Sequence, residues 1–173
     1  MKQKVPPRHV PNRHEKYIGL AWMYAGFSKD PSTQVGCVII GRDNRLKGIG
    51  YNGPPPDIDD ESFSWERPEK YRYIKHAEDN ALRFSSGSLR GATLYVTAMP
   101  CEACMLDIVA SPIKKVVYIA QKSDGGSMLR NQETIQNVMD LAVRSGIELI
   151  EFSGDLSWIE QRTEALKSMN LLP

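Results

Sequence analysis

A chain of 173 residues that is 41% apolar and 25% charged has the size and make-up of one globular domain, which excludes disorder and collagen-like repeats. Its 22 basic and 21 acidic residues leave a formal charge of +1, poor equipment for gripping nucleic acid or an anionic membrane. No apolar run approaches the roughly 20 residues of a bilayer span, no signal-peptide core opens the chain, and three cysteines suit a reducing compartment, so the expectation is a soluble cytoplasmic protein.

Residues 1–12 hold three prolines with Lys2, Lys4 and Arg8 and no acid. They read as an irregular basic arm ahead of one domain over 13–173. Asn12 and Glu15 form a capping-box pattern. The helix they open carries Tyr17, Ala21, Tyr24, Ala25 and Ser28 at helical spacing and is expected to stop at Asp30-Pro31. Val35–Ile40 reads as a buried strand, and a turn at Asp43-Asn44 leads to a second strand over Leu46–Tyr51. Residues 52–70, with four prolines and six acids, form a long loop. Beyond it the pattern alternates: helix at Lys75–Ser85, strand at Thr93–Thr97, helix at Cys101–Ala110, strand at Lys115–Ala120. A helix over Gln132–Arg144 presents Ile135, Val138, Met139, Ala142 and Val143 on one face and ends at Gly146. Ile147–Phe152 is the last strand, and Asp155 caps a terminal helix carrying Trp158, Ile159, Arg162, Ala165 and Leu166. A hairpin followed by alternating helices and strands predicts an α/β fold, a five-stranded mixed sheet with helices on both faces.

Two short segments carry chemistry. His76-Ala77-Glu78 precedes, by 25 positions from the histidine, Pro100-Cys101-Glu102-Ala103-Cys104. This H-x-E and P-C-x-x-C pair is the signature of zinc-dependent nucleobase deaminases. One imidazole and two thiolates give three ligands suited to Zn²⁺ and leave its fourth position open, as in catalytic sites. A helix start favours thiolates at both cysteines. Glu78, beside the histidine, is placed to take a proton from a metal-activated water, pass it to a ring nitrogen and protonate departing ammonia. The same residues admit other readings. C-x-x-C alone is also a redox motif, and a structural zinc would need a fourth ligand from Cys37, His9 or His14. Cys37 reads as a core residue and the two histidines as solvated.

The chain resembles the deoxycytidylate (dCMP) deaminases of the cytidine-deaminase-like superfamily from about Tyr17 to Phe152. The resemblance rests on Ser28-Lys29-Asp30-Pro31-Ser32-Thr33-Gln34-Val35-Gly36, Gly48-Ile49-Gly50-Tyr51-Asn52-Gly53, Asp59-Asp60, Trp65 and Lys70-Tyr71-Arg72-Tyr73. It continues through His76-Ala77-Glu78-Asp79-Asn80-Ala81-Leu82 and Thr93-Leu94-Tyr95-Val96-Thr97. It implies a three-layer α-β-α fold. It also implies hydrolysis of dCMP to dUMP and ammonia, supplying thymidylate synthesis, through a zinc-activated hydroxide attacking C4. His76, Cys101 and Cys104 would bind one Zn²⁺ per subunit and Glu78 would shuttle protons. Asn52 would bind the sugar, the Ala77 N–H the base carbonyl, and Lys29, Ser32 and Gln34 the phosphate or base. The family further implies a homo-oligomer, a hexamer, with dCTP and dTTP as effectors and Mg²⁺ accompanying them. The sequence departs from the family in the effector loop, where Pro54-Pro55-Pro56 stands ahead of Asp57-Ile58-Asp59-Asp60 and the family's glycine is missing. Three prolines stiffen that stretch, and its extra acids suit a different nucleotide or metal contact. Competing substrates are 5-substituted dCMP and other small aminopyrimidines. A base within RNA or DNA would need a basic channel with stacking aromatics, which the net charge and the acidic 57–69 stretch oppose. A non-catalytic zinc protein would leave Glu78 without a task.

Overall fold

The computed structural model describes residues 10–120 and 131–169; most of the expected basic arm, with His9, lies outside the described residues. Helix α1 (Arg13–Ala25) opens on the expected capping box, with the Asn12 side chain accepting from the His14 and Glu15 N–H groups and Glu15 reaching back to the Asn12 N–H. It ends five residues before Asp30. The N–H groups of Gly26, Phe27 and Ser28 turn back to the carbonyls of Met23, Tyr24 and Ala25, tightening the last turn and stopping propagation. Residues 28–35 are thereby free to form a loop.

Strands β1 (Gly36–Ile40), β2 (Leu46–Tyr51), β3 (Thr93–Val96), β4 (Lys115–Tyr118) and β5 (Glu148–Glu151) form one mixed sheet in the order β2-β1-β3-β4-β5. β1 runs antiparallel to β2 and β3, while β3, β4 and β5 are parallel. Alternation at period two sends Cys37, Ile39, Leu94, Val96, Val116 and Tyr118 into one core and Val38, Ile40, Tyr95 and Val117 into the other. The first core is roofed by α2 (Ala77–Arg83), α3 (Glu102–Ala110) and α4 (Gln132–Ser145), the second by α1. Gly48 and Gly50 let α2 settle against β2. A Cβ on either would lie 2.3 Å from a helix carbonyl, Ala81 O and Ala77 O respectively.

Helix α4 buries a narrower stripe than expected. Val138 and Ala142 face the core, whereas Met139 and Val143 are 42% and 79% exposed. Among the described residues the helix packs chiefly on α3 and β5, so residues one position around its circumference are exposed. Gly146, at φ +65°, ends it as expected. The terminal helix α5 (Ser157–Ser168) buries no residue fully. Asp155 accepts from the Ser157 N–H at 2.8 Å but stands one position outside the cap, which is Leu156. The half-buried Trp158 ring lies where a side chain on Gly19 would stand, so this aromatic is used within the chain. Cys37 is a core residue, fully buried. His14 is not simply solvated: its Nδ1 lies 3.2 Å from the Tyr95 hydroxyl. Partial burial and the nearby Lys115 and Arg13 charges hold its pKa below the ordinary value. No helix among the described residues is long and apolar enough to cross a membrane.

Candidate metal centre and substrate loops

β1 begins, and β2 and β3 end, at the same end of the sheet, the end where crevices form in open α/β sheets. His76 is the N-cap residue of α2 and Cys101 that of α3; both backbones are extended, at ψ 158° and 171°. Each side chain therefore leaves its helix at the opening turn. Cys104, one turn into α3, donates its N–H to the Cys101 sulfur at 3.4 Å. The 52–76 segment is returned to the sheet by a reciprocal backbone pair, Gly53 N–H to Lys75 O at 3.1 Å and Lys75 N–H to Gly53 O at 2.9 Å. That pair fixes the residue preceding His76.

The structure brings His76 Nδ1 to 3.2 Å from Cys104 Sγ and 3.4 Å from Cys101 Sγ, and all three donor atoms lie within 4.8 Å of one another. Nitrogen and sulfur donors at ordinary zinc bond lengths in a tetrahedron stand about 3.5 Å apart. The donor set and its spacing thus fit a zinc ion. The thiols depart from expectation in one respect. Cys101 is lowered to about 3, first by the hydrogen bond from Cys104 and then, against its burial, by His76. Cys104 is pushed up by the same neighbour, by burial and by the Glu78 charge. The two thiols are coupled, one held down and the other up, and a divalent cation bound between them would favour both thiolates. Glu78 is 3% exposed, close enough to Cys104 for its carboxylate to raise that thiol. Ala77 is fully buried, and its N–H is the first of α2, a position without an intrahelical acceptor.

The remaining expected contacts fall into a second cluster. Asn52, 6% exposed, accepts the Val35 N–H at 2.7 Å and donates to Thr33 O at 2.9 Å. Its amide thus organises the 30–35 loop. Ser32 donates its hydroxyl to Asp30 at 3.0 Å, and Gln34 donates to the Asp30 carbonyl oxygen. Lys29 goes elsewhere. It is exposed, pairs with Asp60 and lines a cleft of about 360 Å³ with Phe27, Tyr51, Pro54, Pro55 and Pro56. His76, Glu78 and the two cysteines are not among that cleft's walls.

At the centre of the loop cluster is a residue that sequence reasoning passed over. Lys70, 2% exposed, donates to both Asp30 carboxylate oxygens, at 2.8 and 2.7 Å, and to Ser32 Oγ at 2.6 Å. Burial alone would raise the Asp30 carboxyl, but the Lys70 ammonium and the Ser32 N–H and hydroxyl outweigh it and hold the pKa low. A lysine between a glutamate and a tyrosine reads as surface. Its place in the quoted Lys70-Tyr71-Arg72-Tyr73 stretch is the only sequence signal it gives.

The model of the cytidine and deoxycytidylate deaminase zinc-binding region matches residues 11–120. A probable deoxycytidylate deaminase of Caenorhabditis elegans is 38% identical over 117 residues, which cover 65% of this chain and 59% of that one. An uncharacterized deaminase of Aliivibrio fischeri, from the luxG 3' region, is 36% identical over 135 residues, covering 78% and 90%. The deoxycytidylate deaminase of Mus musculus is 37% identical over 62% of this chain and 65% of its own. In fold, the chain is similar to the dCMP deaminase of cyanophage S-TIM5, solved with dCMP and dUMP. The TM-score is 0.63 at 23% identity over 84% of this chain and all of the other. Because the zinc-binding region runs unbroken from the first helix through β4 and takes in both signature segments, this chain belongs to the cytidine and deoxycytidylate deaminase family.

Proposed function

We propose that the protein hydrolyses dCMP to dUMP and ammonia at the His76, Cys101 and Cys104 centre. The observation that carries the reading is the meeting of one imidazole nitrogen and two thiol sulfurs within 4.8 Å, with a buried carboxylate against one of them. Relatives named as deoxycytidylate deaminases support the substrate.

His76, Cys101 and Cys104 would hold the zinc ion, which when bound supplies a Lewis acid that brings the pKa of a water near neutrality. Glu78 accepts a proton from the attacking water and delivers it to N3 of the ring. The water oxygen bonds to C4. Glu78 then carries the second water proton to the amino group, the C4–N bond breaks, and ammonia leaves with C4 as a carbonyl. The Ala77 N–H binds the base carbonyl. Asn52 stands beside the sugar while bracing the 30–35 loop, from which Ser32 and Gln34 approach the phosphate. Lys29 acts from its outer cleft. Through the family resemblance the reading extends to dCTP and dTTP as effectors carried with Mg²⁺, and to a hexamer; light scattering with and without each triphosphate tests both.

The deciding measurement is ammonia release from dCMP by zinc-loaded protein, with deoxycytidine and 5-methyl-dCMP in parallel and Glu78→Ala as the blank. Turnover of dCMP, none of deoxycytidine and an inactive variant is the expected result. Preference for the 5-methyl nucleotide would move the substrate but keep the chemistry. Ammonia from none of the three would overturn the reading.

A further inference from the structure

We propose that Lys70 is a positioning residue for the nucleotide. It locks the loop carrying Ser32 and Gln34 in the shape that receives substrate, an inference that rests on the dCMP reading.

Three observations carry it. The ammonium has three protons, and all three are committed, to Asp30 Oδ1, Asp30 Oδ2 and Ser32 Oγ. Asp30 Oδ1 also accepts the Ser32 and Thr33 N–H groups at 2.9 and 3.2 Å, so one cation sets the backbone of the loop as well as the Ser32 side chain. Both members of the pair are 3% exposed at the side chain. A buried ion pair is weak support for stability, since well-packed apolar residues often do as well or better. The bonds also run to the loop that leads into β1, at the end of the sheet where β2 and β3 finish. Finally, the network joins segments 40 residues apart. Asn52 Nδ2 stands 3.4 Å from Asp30 Oδ2, and the next residue, Gly53, is paired to Lys75, the neighbour of His76. Lys70 therefore sets the substrate loop relative to the proposed metal centre without touching either the ion or the reacting atoms.

The test uses the zinc-loaded 173-residue chain, Lys70→Met, and the double variant Asp30→Asn/Lys70→Met, which removes both members of the buried pair. Zinc content and far-UV circular dichroism should match the wild type. The KM for dCMP should rise about tenfold or more with kcat within about threefold, the signature of binding lost equally from ground and transition states when the loop that receives the nucleotide loses its shape. The upward shift of the thermal midpoint on adding dCMP should shrink accordingly. A folded variant with an unmoved KM and only a lower thermal midpoint would reduce the pair to a structural role and overturn the proposal. So would recovery of both variants only as aggregates. If the wild type itself leaves dCMP unchanged, the substrate reading fails first and takes this inference with it. An active wild type with unmoved variants isolates the failure to Lys70.

Discussion

Polar groups gather at two places at the same end of the sheet, and the two differ in how their charges are met. Around Asp30 an ammonium, a carboxylate, a hydroxyl and an amide complete one another, with each lysine proton on an oxygen. Around His76 two thiols lie beside a buried carboxylate, and Cys104 is raised by its neighbour Cys101, by burial and by that negative charge. The first cluster is balanced from within; the second gathers three donors that could hold a cation. The first is built from loops and the second from the starts of two helices.

The comparison breaks most decisively at Glu78. Glu78→Gln keeps the shape and removes the proposed proton carrier, and kcat is expected to fall about 10³-fold or more, within the range for general acid–base groups. Zinc content by metal analysis should stay the same. If activity survives, the carboxylate belongs with the structural cluster after all.

A smaller effect separates placement from chemistry. Gly50→Ala puts a methyl 2.3 Å from the Ala77 carbonyl and 2.5 Å from the Ala81 nitrogen. Pushing α2 off β2 should cost about 1–3 kcal/mol, as overpacking does, and lower kcat because His76 and Glu78 move with the helix. Urea unfolding and steady-state rates read the two losses.

The smallest effect belongs to acid. Asp30 titrates below its ordinary value in the folded chain, held down by Lys70 and Ser32 against burial. The unfolded chain therefore takes up the proton first. This contribution to stability is full above about pH 4 and is lost as pH falls through the folded pKa. Urea midpoints between pH 6 and pH 3 should show that acid limb in the wild type. It should be weaker in the Asp30→Asn/Lys70→Met double variant.

Much of this molecule is legible before any coordinates. The order of helices and strands follows from periodicity, and the proposed metal ligands follow from a spacing whose chemistry leaves few alternatives. Local signals failed where tertiary structure overrode them. Asp30-Pro31 looks like a helix stop, yet the turn at Gly26–Ser28 ends α1 first, and Asp30 becomes the hub of a loop. Met139 and Val143 share the apolar arc of α4 but stay exposed among the described residues. Lys70 could not be found because burial of a lysine depends on a carboxylate 40 residues away, which no window along the chain contains.

The reciprocal pair between Gly53 and Lys75 has a practical corollary for protein engineering. Everything between those residues leaves and re-enters the sheet through one two-bond clasp, with Lys70 as a second anchor near the exit. Lengthening a flexible excursion costs only about 0.6 kcal/mol per doubling. The exposed turn at 56–59 is thus a natural cassette, whereas Asp60, paired with Lys29, and Phe63, stacked on Tyr73, hold the remainder in place. Foreign sequence grafted there would change what the rim offers to a ligand while the clasp keeps the register of His76 with the sheet.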